Sequence, residues 1–299
     1  MNINANFPTT ISEIGVYNAS FGTRELAPAL SSAIKSIHPK PCKILTVDSL
    51  EINRNDVMYI IICPAGLAKE IILPKYYITW QLEFMIGPYN NPGYINILRG
   101  ALANWDYSTF NIKLLEGQYG IKSIHVPPGF NHTIASPDIV DGSYLYNDQG
   151  KDIDILFLGY CDAYPRRVLF RDNCNCTGLK TFFVSNFDLE GMKQMIRRAK
   201  VCINLAAQDI FVLATVRLNI LLSNQACIVS EMSIDNDADE LYSKHGICFV
   251  PYEDLIPRAY DLVHNYEVRR DMAIKSYQWY RYERDWANIV NFPLLLPAL

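Results

Sequence analysis

A glycine and two arginines follow a strand pattern in the second half of the sequence. Residues 153–158 read IDILFL, Gly159 and Tyr160 come directly after them, and Arg166 and Arg167 lie one short loop further on. A glycine at the end of a strand lets a ligand approach the backbone, and the amino end of a following helix attracts phosphate. Two guanidinium groups would add forked hydrogen-bond donors. The pattern indicates either a diphosphate site or a turn glycine beside two solvated arginines.

A third arginine and a glutamate fit the same chemistry. Arg217 lies within 210–222, where almost every other residue is apolar. A charge in a largely buried helix needs a partner, which would be an anionic ligand or a structural carboxylate. Glu231 follows the strand pattern at 226–230, at the position where an open α/β sheet presents ligand-binding groups. Its carboxylate could accept both hydroxyls of a ribose, or it could cap a helix or form a salt bridge.

Two features of the first half could bind and activate an acceptor. The loop 18–23 (NASFGT) joins the first predicted strand to the first predicted helix and lacks the GxGxxG pattern of dinucleotide sites. Its candidate acceptor-binding residues are Asn18, Ser20, Phe21 and Gly22. Glu83 follows the predicted strand at 76–80. A carboxylate at that edge can act as a general base, although an ordinary surface glutamate fits the same pattern.

Composition argues against several classes of protein. Of the 299 residues 50% are hydrophobic and 19% charged, whereas a disordered chain needs low hydrophobicity and high charge. The net charge of −4 gives no reason to expect nucleic-acid binding. Cys174 and Cys176 form one close pair without a second pair or a histidine at zinc-site spacing, so no metal is expected. The sequence lacks Gly-x-Ser-x-Gly, His-Glu-x-x-His and P-loop motifs, which disfavours hydrolases, metalloproteases and NTPases.

The sequence also predicts a cellular compartment. The first ten residues lack a basic region followed by an apolar core, so they do not resemble a signal peptide. No run of about 20 apolar residues occurs, so no membrane span is expected. We therefore expect a soluble protein of a reducing compartment, the cytoplasm.

Chain length and turn content predict two domains. A single core rarely grows beyond about 250–300 residues. The richest turn segment, 130–151, lies at the midpoint of the chain. We predict an N-terminal domain over 1–140, a C-terminal domain over 151–282, and a tail over 283–299 that packs on the N-terminal domain.

Strand and helix patterns alternate in both halves. Strands are predicted at 13–18, 43–47, 57–63, 76–80, 123–126, 153–158, 180–184, 201–205, 226–230 and 246–250. Helices are predicted at 23–37, 94–103, 109–119, 166–172, 188–199, 209–222, 235–243, 252–264 and 267–284. Such alternation is typical of parallel sheets, so we predict an α/β fold of two Rossmann-like domains facing across a cleft. Ligands would bind at the carboxyl ends of the strands.

Several segments, taken in order, resemble a known family. They are Trp80-Gln81-Leu82-Glu83, Trp105-Asp106-Tyr107-Ser108, Val126-Pro127-Pro128-Gly129-Phe130, 154–159 with Arg166-Arg167, Val216-Arg217-Leu218-Asn219 and Ile228-Val229-Ser230-Glu231. Over about residues 13–282, their order and spacing resemble the small GT-B glycosyltransferases of large DNA viruses and some microbes. These enzymes are related to the group 1 glycosyl transferases.

The resemblance implies a donor site in the C-terminal domain and an acceptor site in the N-terminal domain. The donor would be a UDP- or GDP-linked hexose or pentose, and the acceptor a hydroxyl of a glycan, as in viral capsid glycan synthesis in the host cytoplasm. Transfer would need no metal or cofactor, because Arg166, Arg167 or Arg217 would stabilise the departing diphosphate. Glu83 would deprotonate the acceptor. The resemblance adds two residues, Tyr252 in the donor site and Trp80 in the acceptor site.

Two positions depart from the pattern of such enzymes. Relatives often carry histidine where this chain has Ala206 and glutamate where it has Ala214. Both polar groups would face the donor. Three explanations stay open: Glu231 and the arginines suffice, the donor differs, or the chain is a degenerate module that binds nucleotide or glycan without turnover. A sugar-nucleotide epimerase is a further alternative, because it can use the same two-domain fold.

Overall fold

The chain forms two α/β units whose boundary falls at residues 133 and 134. The computed structural model describes residues 10–45, 54–67, 72–86, 91–144, 146–185 and 188–290. Unit 1 consists of Met1–Thr133 and Asp285–Leu299, and unit 2 consists of Ile134–Arg284. The boundary therefore lies within the turn-rich segment 130–151, and the chain returns to unit 1 after completing unit 2.

Unit 1 contains a parallel sheet of six strands. They are β1 (Glu13–Asn18), β2 (Cys42–Leu45), β3 (Val57–Ile62), β4 (Tyr77–Gln81), β5 (Ala103–Asp106) and β6 (Ile124–His125), in the spatial order β2-β1-β3-β4-β5-β6. The helices before the boundary are α1 (Leu26–Ile37), α2 (Pro92–Gly100) and α3 (Thr109–Tyr119). Every residue of β3, with the sequence VMYIII, is buried. A continuous apolar run of this kind is expected of a central parallel strand that is covered on both faces.

Unit 2 contains a parallel sheet of five strands. They are β7 (Ile153–Leu158), β8 (Thr181–Val184), β9 (Ala199–Asn204), β10 (Ile228–Glu231) and β11 (Cys248–Val250), in the spatial order β11-β10-β9-β7-β8. The helices are α4 (Pro137–Val140), α5 (Pro165–Asn175), α6 (Leu189–Arg198), α7 (Thr215–Ser223), α8 (Asn236–Lys244), α9 (Leu255–Val263) and α10 (Tyr266–Glu283). Among the described residues, no helix has both the length and the apolar character needed to cross a membrane.

The predicted α/β fold with two parallel sheets is confirmed. The strands at 13–18 and 153–158 and the helix at 109–119 have the predicted bounds. Asp188 caps α6, because its carboxylate accepts a hydrogen bond from the Gly191 N–H at 2.7 Å.

Several predicted helices were too long, among them those over 209–222 and 94–103. The helix predicted over 209–222 begins at Thr215. The apolar residues before it instead pack against the loop after β10, where the Ile234 N–H donates to the Phe211 carbonyl at 3.1 Å. The helix predicted over 94–103 ends at Gly100, and Ala103–Asp106 forms β5. The sequence pattern missed β5 because this strand has only four residues and two of them are polar.

The chain after unit 2 closes the core of unit 1. The short helix α11 (Trp286–Ile289) follows the Asp285 cap. Trp286 is fully buried, and its ring centroid lies 5.2 Å from that of Trp80. The backbone N–H of Trp286 also donates to the Phe130 carbonyl at 2.9 Å. The described part of the tail predicted over 283–299 therefore contributes a large aromatic side chain to the core of unit 1.

The Trp286→Ala variant is expected to lower the free energy of unfolding of unit 1 by about 3–5 kcal/mol, because it leaves a large cavity beside Trp80. Urea unfolding followed by tryptophan fluorescence would measure the loss. The control is Ile72→Ala in unit 1, whose side chain is 71% exposed and which should change stability by no more than about 0.5 kcal/mol. Equal unfolding midpoints for Trp286→Ala and the wild type would refute the assigned core role.

His245 makes the stability of unit 2 depend on pH. Its ring stacks on Trp279 with centroids 4.4 Å apart. Burial lowers the pKa of His245 from 6.5, with Glu283 acting in the opposite direction and Lys275 and Lys244 adding to the decrease. The folded protein therefore binds fewer protons than the unfolded chain when the pH lies between the two pKa values. Stability from this group is complete above about pH 6.5 and is lost as the pH falls through the lowered pKa.

The His245→Phe variant should retain the ring contact and lose this part of the pH dependence. Urea unfolding of unit 2 at pH 5.0 and 7.5 would compare the variant with the wild type. We expect the wild type to lose more stability between these two values than the variant does. The same loss in both proteins would show that His245 does not titrate as described.

Candidate active site

Neighbouring strands of unit 2 end together at the carboxyl edge of the sheet. β10 and β9 pair at Ser230 and Asn204, and β9 also pairs with β7. Glu231, the last residue of β10, and Gly159, which follows β7, therefore lie at the same edge. Gly159 has φ of 155°, and a Cβ atom there would lie 3.0 Å from the Phe157 ring. A side chain at this position would be strained, so the glycine keeps this edge open.

Arg217 reaches this edge from the first turn of α7. Its Nε donates to the Leu158 carbonyl at 2.8 Å. Its Nη1 donates to Asn204 Oδ1 at 2.8 Å and to the Leu205 carbonyl at 3.0 Å. Burial lowers the pKa of Arg217 to about 9, and the nearby charge of Arg167 adds to the decrease. The Arg217 guanidinium is thus held by neutral hydrogen-bond acceptors in a buried environment that disfavours its positive charge.

Arg167 lies beside Arg217 and is held in the same way. Its side chain donates to the Tyr160 carbonyl at 2.8 Å and to the Leu205 carbonyl at 3.2 Å. The residue is 8% exposed, and its Nε is buried without a hydrogen-bond partner in the described structure. Burial also lowers the pKa of Arg167. The alternative of a solvated arginine is therefore wrong for this residue.

Within the described residues, neither Arg167 nor Arg217 forms an ion pair with a carboxylate. Two adjacent guanidinium groups in a partly desolvated place need compensating negative charge. The sequence left open whether Arg217 meets an anionic ligand or a structural carboxylate. The described carboxylates do not include such a partner, so the geometry favours an anionic ligand.

The amino end of α7 adds further positive potential beside the two arginines. Ala214 precedes this nine-residue helix, and no side chain caps it. The hydroxyl of Thr215 is buried and has no hydrogen-bond partner in the described structure. The Thr215 N–H donates to the Leu213 carbonyl at 2.8 Å and the Arg217 N–H to the Ala214 carbonyl at 3.1 Å, so it is the helix dipole that favours a bound anion at this end. Thr215 was not predicted as a site residue, because the helix predicted from the sequence begins at 209, six residues before α7.

Arg166 differs from the other two arginines because it is neutralised by carboxylates. Its guanidinium forms a two-pronged ion pair with Glu231, including a 2.7 Å contact from Nη1 to Oε2. Its Nε contacts Asp209 at 2.8 Å, and its guanidinium lies 4.0 Å from the ring centroid of Tyr252. Glu231 is 4% exposed and also accepts the Ala206 N–H at 3.3 Å. Glu231 therefore forms a salt bridge in this structure, and its predicted contact with ribose hydroxyls stays a prediction.

The remaining predicted donor residues lie at or near this edge. The side chain of Tyr160 is 51% exposed, whereas its backbone carbonyl binds Arg167. The Tyr252 hydroxyl donates to the Arg166 carbonyl at 2.9 Å. The backbone N–H of Ala206 donates to Glu231, and Ala214 directly precedes α7. The structure thus brings together every residue that the sequence assigned to the donor site.

The acceptor loop lies at the carboxyl edge of the unit 1 sheet. Asn18 Oδ1 accepts the Ser20 N–H at 3.1 Å and the Thr23 hydroxyl at 2.9 Å. Asn18 Nδ2 is buried without a hydrogen-bond partner in the described residues. Gly22 is exposed within the 3₁₀ turn Phe21–Thr23. The side chain of Phe21 lies outside the description, so its predicted acceptor role stays a prediction.

Glu83 is partly exposed two residues beyond the end of β4. Its Oε1 accepts a hydrogen bond from Cys63 Sγ at 3.2 Å. The side chain of Gln81 bonds both the N–H and the carbonyl of Glu83. Asn111 Nδ2 also donates to that carbonyl at 2.9 Å. A partly exposed carboxylate on a rigidly held backbone has the properties of a general base.

The predicted acceptor-binding role of Trp80 is wrong. Its side chain is fully buried, and its Nε1 donates to the Val126 carbonyl at 2.7 Å. It packs against Trp286 in the core of unit 1. Since no part of the ring reaches solvent, Trp80 cannot contact an acceptor in this structure. Its apolar surface explains its position without a binding role.

The described part of the chain holds no group of three or more histidine, cysteine, aspartate or glutamate side chains that could bind a metal ion. At the carboxyl edge of the unit 2 sheet, an anion could be neutralised by the guanidinium groups of Arg167 and Arg217 and by the dipole at the amino end of α7.

Comparisons with known proteins identify the fold. No protein-family model matches the sequence. Uncharacterized protein L140 of Acanthamoeba polyphaga mimivirus is 24% identical over 255 residues, which cover 81% of this chain and 79% of the viral protein. This distant relative fits the resemblance to viral proteins.

Solved structures of glycosyltransferases share the architecture. Sucrose-phosphate synthase from Thermosynechococcus elongatus aligns with a TM-score of 0.60 and 10% identity, over 93% of this chain and 96% of its own. Anabaena HepE in complex with UDP and glucose aligns with a TM-score of 0.60 and 8% identity, over 93% of this chain and 97% of HepE. TarM aligns with a TM-score of 0.56 and 8% identity over 80% of this chain, which spans 54% of TarM. The chain therefore has the GT-B fold.

Proposed function

We propose that this chain is a glycosyltransferase that moves a sugar from a nucleoside diphosphate sugar to a hydroxyl group of a glycan. The observation that carries this proposal is that the adjacent guanidinium groups of Arg167 and Arg217 are buried and form no ion pair with a carboxylate among the described residues. A diphosphate would supply the negative charge that Arg167 and Arg217 lack in the described structure. It would also be stabilised by the dipole at the amino end of α7 and would accept a hydrogen bond from the buried Thr215 hydroxyl.

The proposed donor is a UDP-linked hexose, with a GDP-linked sugar as the alternative. HepE, which shares the fold, was crystallised with UDP and glucose. Glu231 would accept hydrogen bonds from the ribose hydroxyls. Arg166 already uses both oxygens of this carboxylate, so it would hold Glu231 in place while the ribose shares the remaining lone pairs. Tyr160 and Tyr252 would contribute to the same donor site.

The proposed reaction is a direct displacement at the anomeric carbon. The acceptor oxygen forms a bond to this carbon while the bond from the carbon to the diphosphate oxygen breaks. The electron pair of the broken bond leaves with the nucleoside diphosphate, and the Glu83 carboxylate takes the acceptor proton. Arg167 and Arg217 would stabilise the charge that develops on the leaving group. We propose a metal-independent reaction because these groups can supply the positive charge themselves.

The proposed acceptor is a glycan bound at the loop that contains Asn18, Ser20 and Gly22. The unpartnered Nδ2 group of Asn18 is a suitable donor to a sugar hydroxyl. The likeness to mimivirus L140 supports a further proposal, that the product is part of a viral glycan made in the host cytoplasm.

The test is a set of measurements on the wild-type protein. Thermal shifts with UDP, GDP, UDP-glucose and GDP-mannose would detect binding, because a ligand that binds the folded state raises the unfolding temperature. Incubation of each nucleotide sugar with glycan acceptors, followed by mass spectrometry, would detect transfer. We expect a UDP-dependent shift and a product heavier by one hexose.

Other results would replace the proposal. Nucleotide binding without transfer or hydrolysis would establish a module that has lost turnover. Conversion of the donor into its epimer without an acceptor would establish an epimerase. If none of the nucleotides raised the unfolding temperature, both the donor site and the proposed function would be wrong.

A further inference from the structure

Cys63 has a backbone conformation that residues with side chains seldom adopt. It directly follows β3 and has φ of 53° and ψ of 56°, in the left-handed region. For a residue with a Cβ atom this conformation costs about 1–2 kcal/mol. Among the described non-glycine residues, Gln225 and Cys63 have positive φ. Backbone strain of this kind is concentrated at functional sites, so Cys63 needs an explanation.

The turn that contains Cys63 is fixed from several sides. The Cys63 N–H donates to the Trp80 carbonyl at 2.8 Å, which extends the β3–β4 pairing by one residue. The Gly66 N–H donates to the Cys63 carbonyl at 3.0 Å. A Cβ atom at Gly66 would lie 2.1 Å from the Ala19 carbonyl oxygen, so this turn packs tightly on the acceptor loop. The position of the thiol is therefore set by the fold.

The thiol donates a hydrogen bond to the proposed base. Cys63 Sγ lies 3.2 Å from Glu83 Oε1. Cys63 is 1% exposed. Burial, followed by the charge of Glu83, raises the pKa of Cys63. The group is therefore a neutral S–H donor at neutral pH and not a thiolate nucleophile.

Buried polar side chains fix the backbone of Glu83 at the same time. Gln81, Asp106 and Asn111 are all buried. Asp106 accepts hydrogen bonds from Gln81 at 3.4 Å and from Asn111 at 3.2 Å, and Asn111 also accepts the Met85 N–H at 3.2 Å. Burial raises the pKa of Asp106 well above its ordinary value, although hydrogen bonds from Ser108 and Asn111 act against the increase. This network holds the main chain of Glu83 and leaves its carboxylate to be oriented by other groups.

We propose that Cys63 is a positioning residue that orients the Glu83 carboxylate toward the acceptor hydroxyl. This inference rests on the proposed function, in which Glu83 is the base. A thiol suits the task because it donates a directional hydrogen bond without the full positive charge of a lysine, which would reduce the basicity of the carboxylate. The strained turn after β3 exists to bring this donor to Oε1.

The kinetic test compares Cys63→Ala with Cys63→Ser. We expect Cys63→Ala to lower kcat about tenfold with an unchanged KM for the donor, since the hydrogen bond to a charged group is lost. Cys63→Ser restores a donor and should recover kcat to within about threefold of the wild type. The acidic limb of the pH–rate profile of Cys63→Ala should move to higher pH by about 0.5–1 unit. Cys42→Ala, which removes another buried thiol of unit 1, is the matched control and should retain full activity.

A second measurement does not depend on turnover. Carboxyl ¹³C NMR of the ligand-free protein would follow the titration of Glu83, whose signal is the one missing in Glu83→Gln. The midpoint should rise in Cys63→Ala and return in Cys63→Ser. An unchanged midpoint and kcat in Cys63→Ala would overturn the role of Cys63, as would a Cys63→Ser variant as impaired as Cys63→Ala.

The two proposals can fail separately. If the wild type transfers no sugar, the proposed function fails, and the NMR midpoint alone still decides whether Cys63 orients Glu83. If the wild type is active, Cys63→Ala should have no additional effect in a Glu83→Gln background. An additional tenfold loss in that background would show that Cys63 acts elsewhere.

Discussion

The Arg217→Met variant is expected to lose kcat/KM for the nucleotide sugar by about 100- to 1,000-fold, the usual effect of removing one stabilising donor from a developing anion. Methionine fills much of the same volume but has no charge and no N–H groups. The loss should affect UDP as well as the sugar donor, because Arg217 is proposed to contact the diphosphate. Steady-state kinetics and the dissociation constant of UDP would measure both effects.

The controls for Arg217→Met separate charge from structure. Arg198→Met removes an exposed arginine of unit 2, paired with Asp152, and should bind UDP as the wild type does. Arg217→Lys retains the charge but cannot reproduce the three hydrogen bonds to Leu158, Asn204 and Leu205, so an intermediate loss is expected. If Arg217→Met bound UDP with wild-type affinity while remaining folded, Arg217 would be a purely structural residue.

The Glu83→Gln variant is expected to lower kcat by about 100- to 10,000-fold, the usual contribution of a general base. Glutamine retains the shape of the side chain but cannot take a proton from the acceptor. UDP affinity should stay unchanged, since the donor is assigned to unit 2. Transfer to the acceptor would be measured as kcat, and UDP binding as a thermal shift.

The matched control for Glu83→Gln is Glu116→Gln on α3, where the side chain is exposed. This variant should have full activity. Full activity in Glu83→Gln as well would exclude Glu83 as the base and would favour a reaction in which the departing diphosphate accepts the proton.

The fold could be predicted from the sequence where one pattern dominated. The apolar runs of β3 and β7 have no helical alternative of comparable strength, and the strand–helix alternation then requires parallel sheets. β5 was missed because the alternation of apolar and polar residues in its sequence, ANWD, covers only four residues directly after a helical pattern. Its strand conformation depends on pairing with β4 and β6, which is a tertiary effect.

The candidate site was predictable only in part. Gly159 and Arg217 were recognisable because a glycine after a strand and a charge in an apolar segment are local signals. The pairing of Arg166 with Glu231 was not, since these residues are 65 positions apart and meet only through the order of the strands. The role of Cys63 could not be predicted from the sequence for a different reason. Its importance comes from backbone dihedral angles and a contact to Glu83, neither of which a single sequence reveals.

The return of the chain to unit 1 has a consequence for its synthesis on the ribosome. Trp286 reaches Trp80 only after the whole of unit 2 has been made. At about 5–20 residues per second, the intervening stretch of about 150 residues takes roughly 8–30 s to translate. During this interval unit 2 can complete its own core, whereas the face of Trp80 that Trp286 covers stays open. The nascent chain is therefore expected to expose this apolar face of unit 1 until residues 285–290 have emerged.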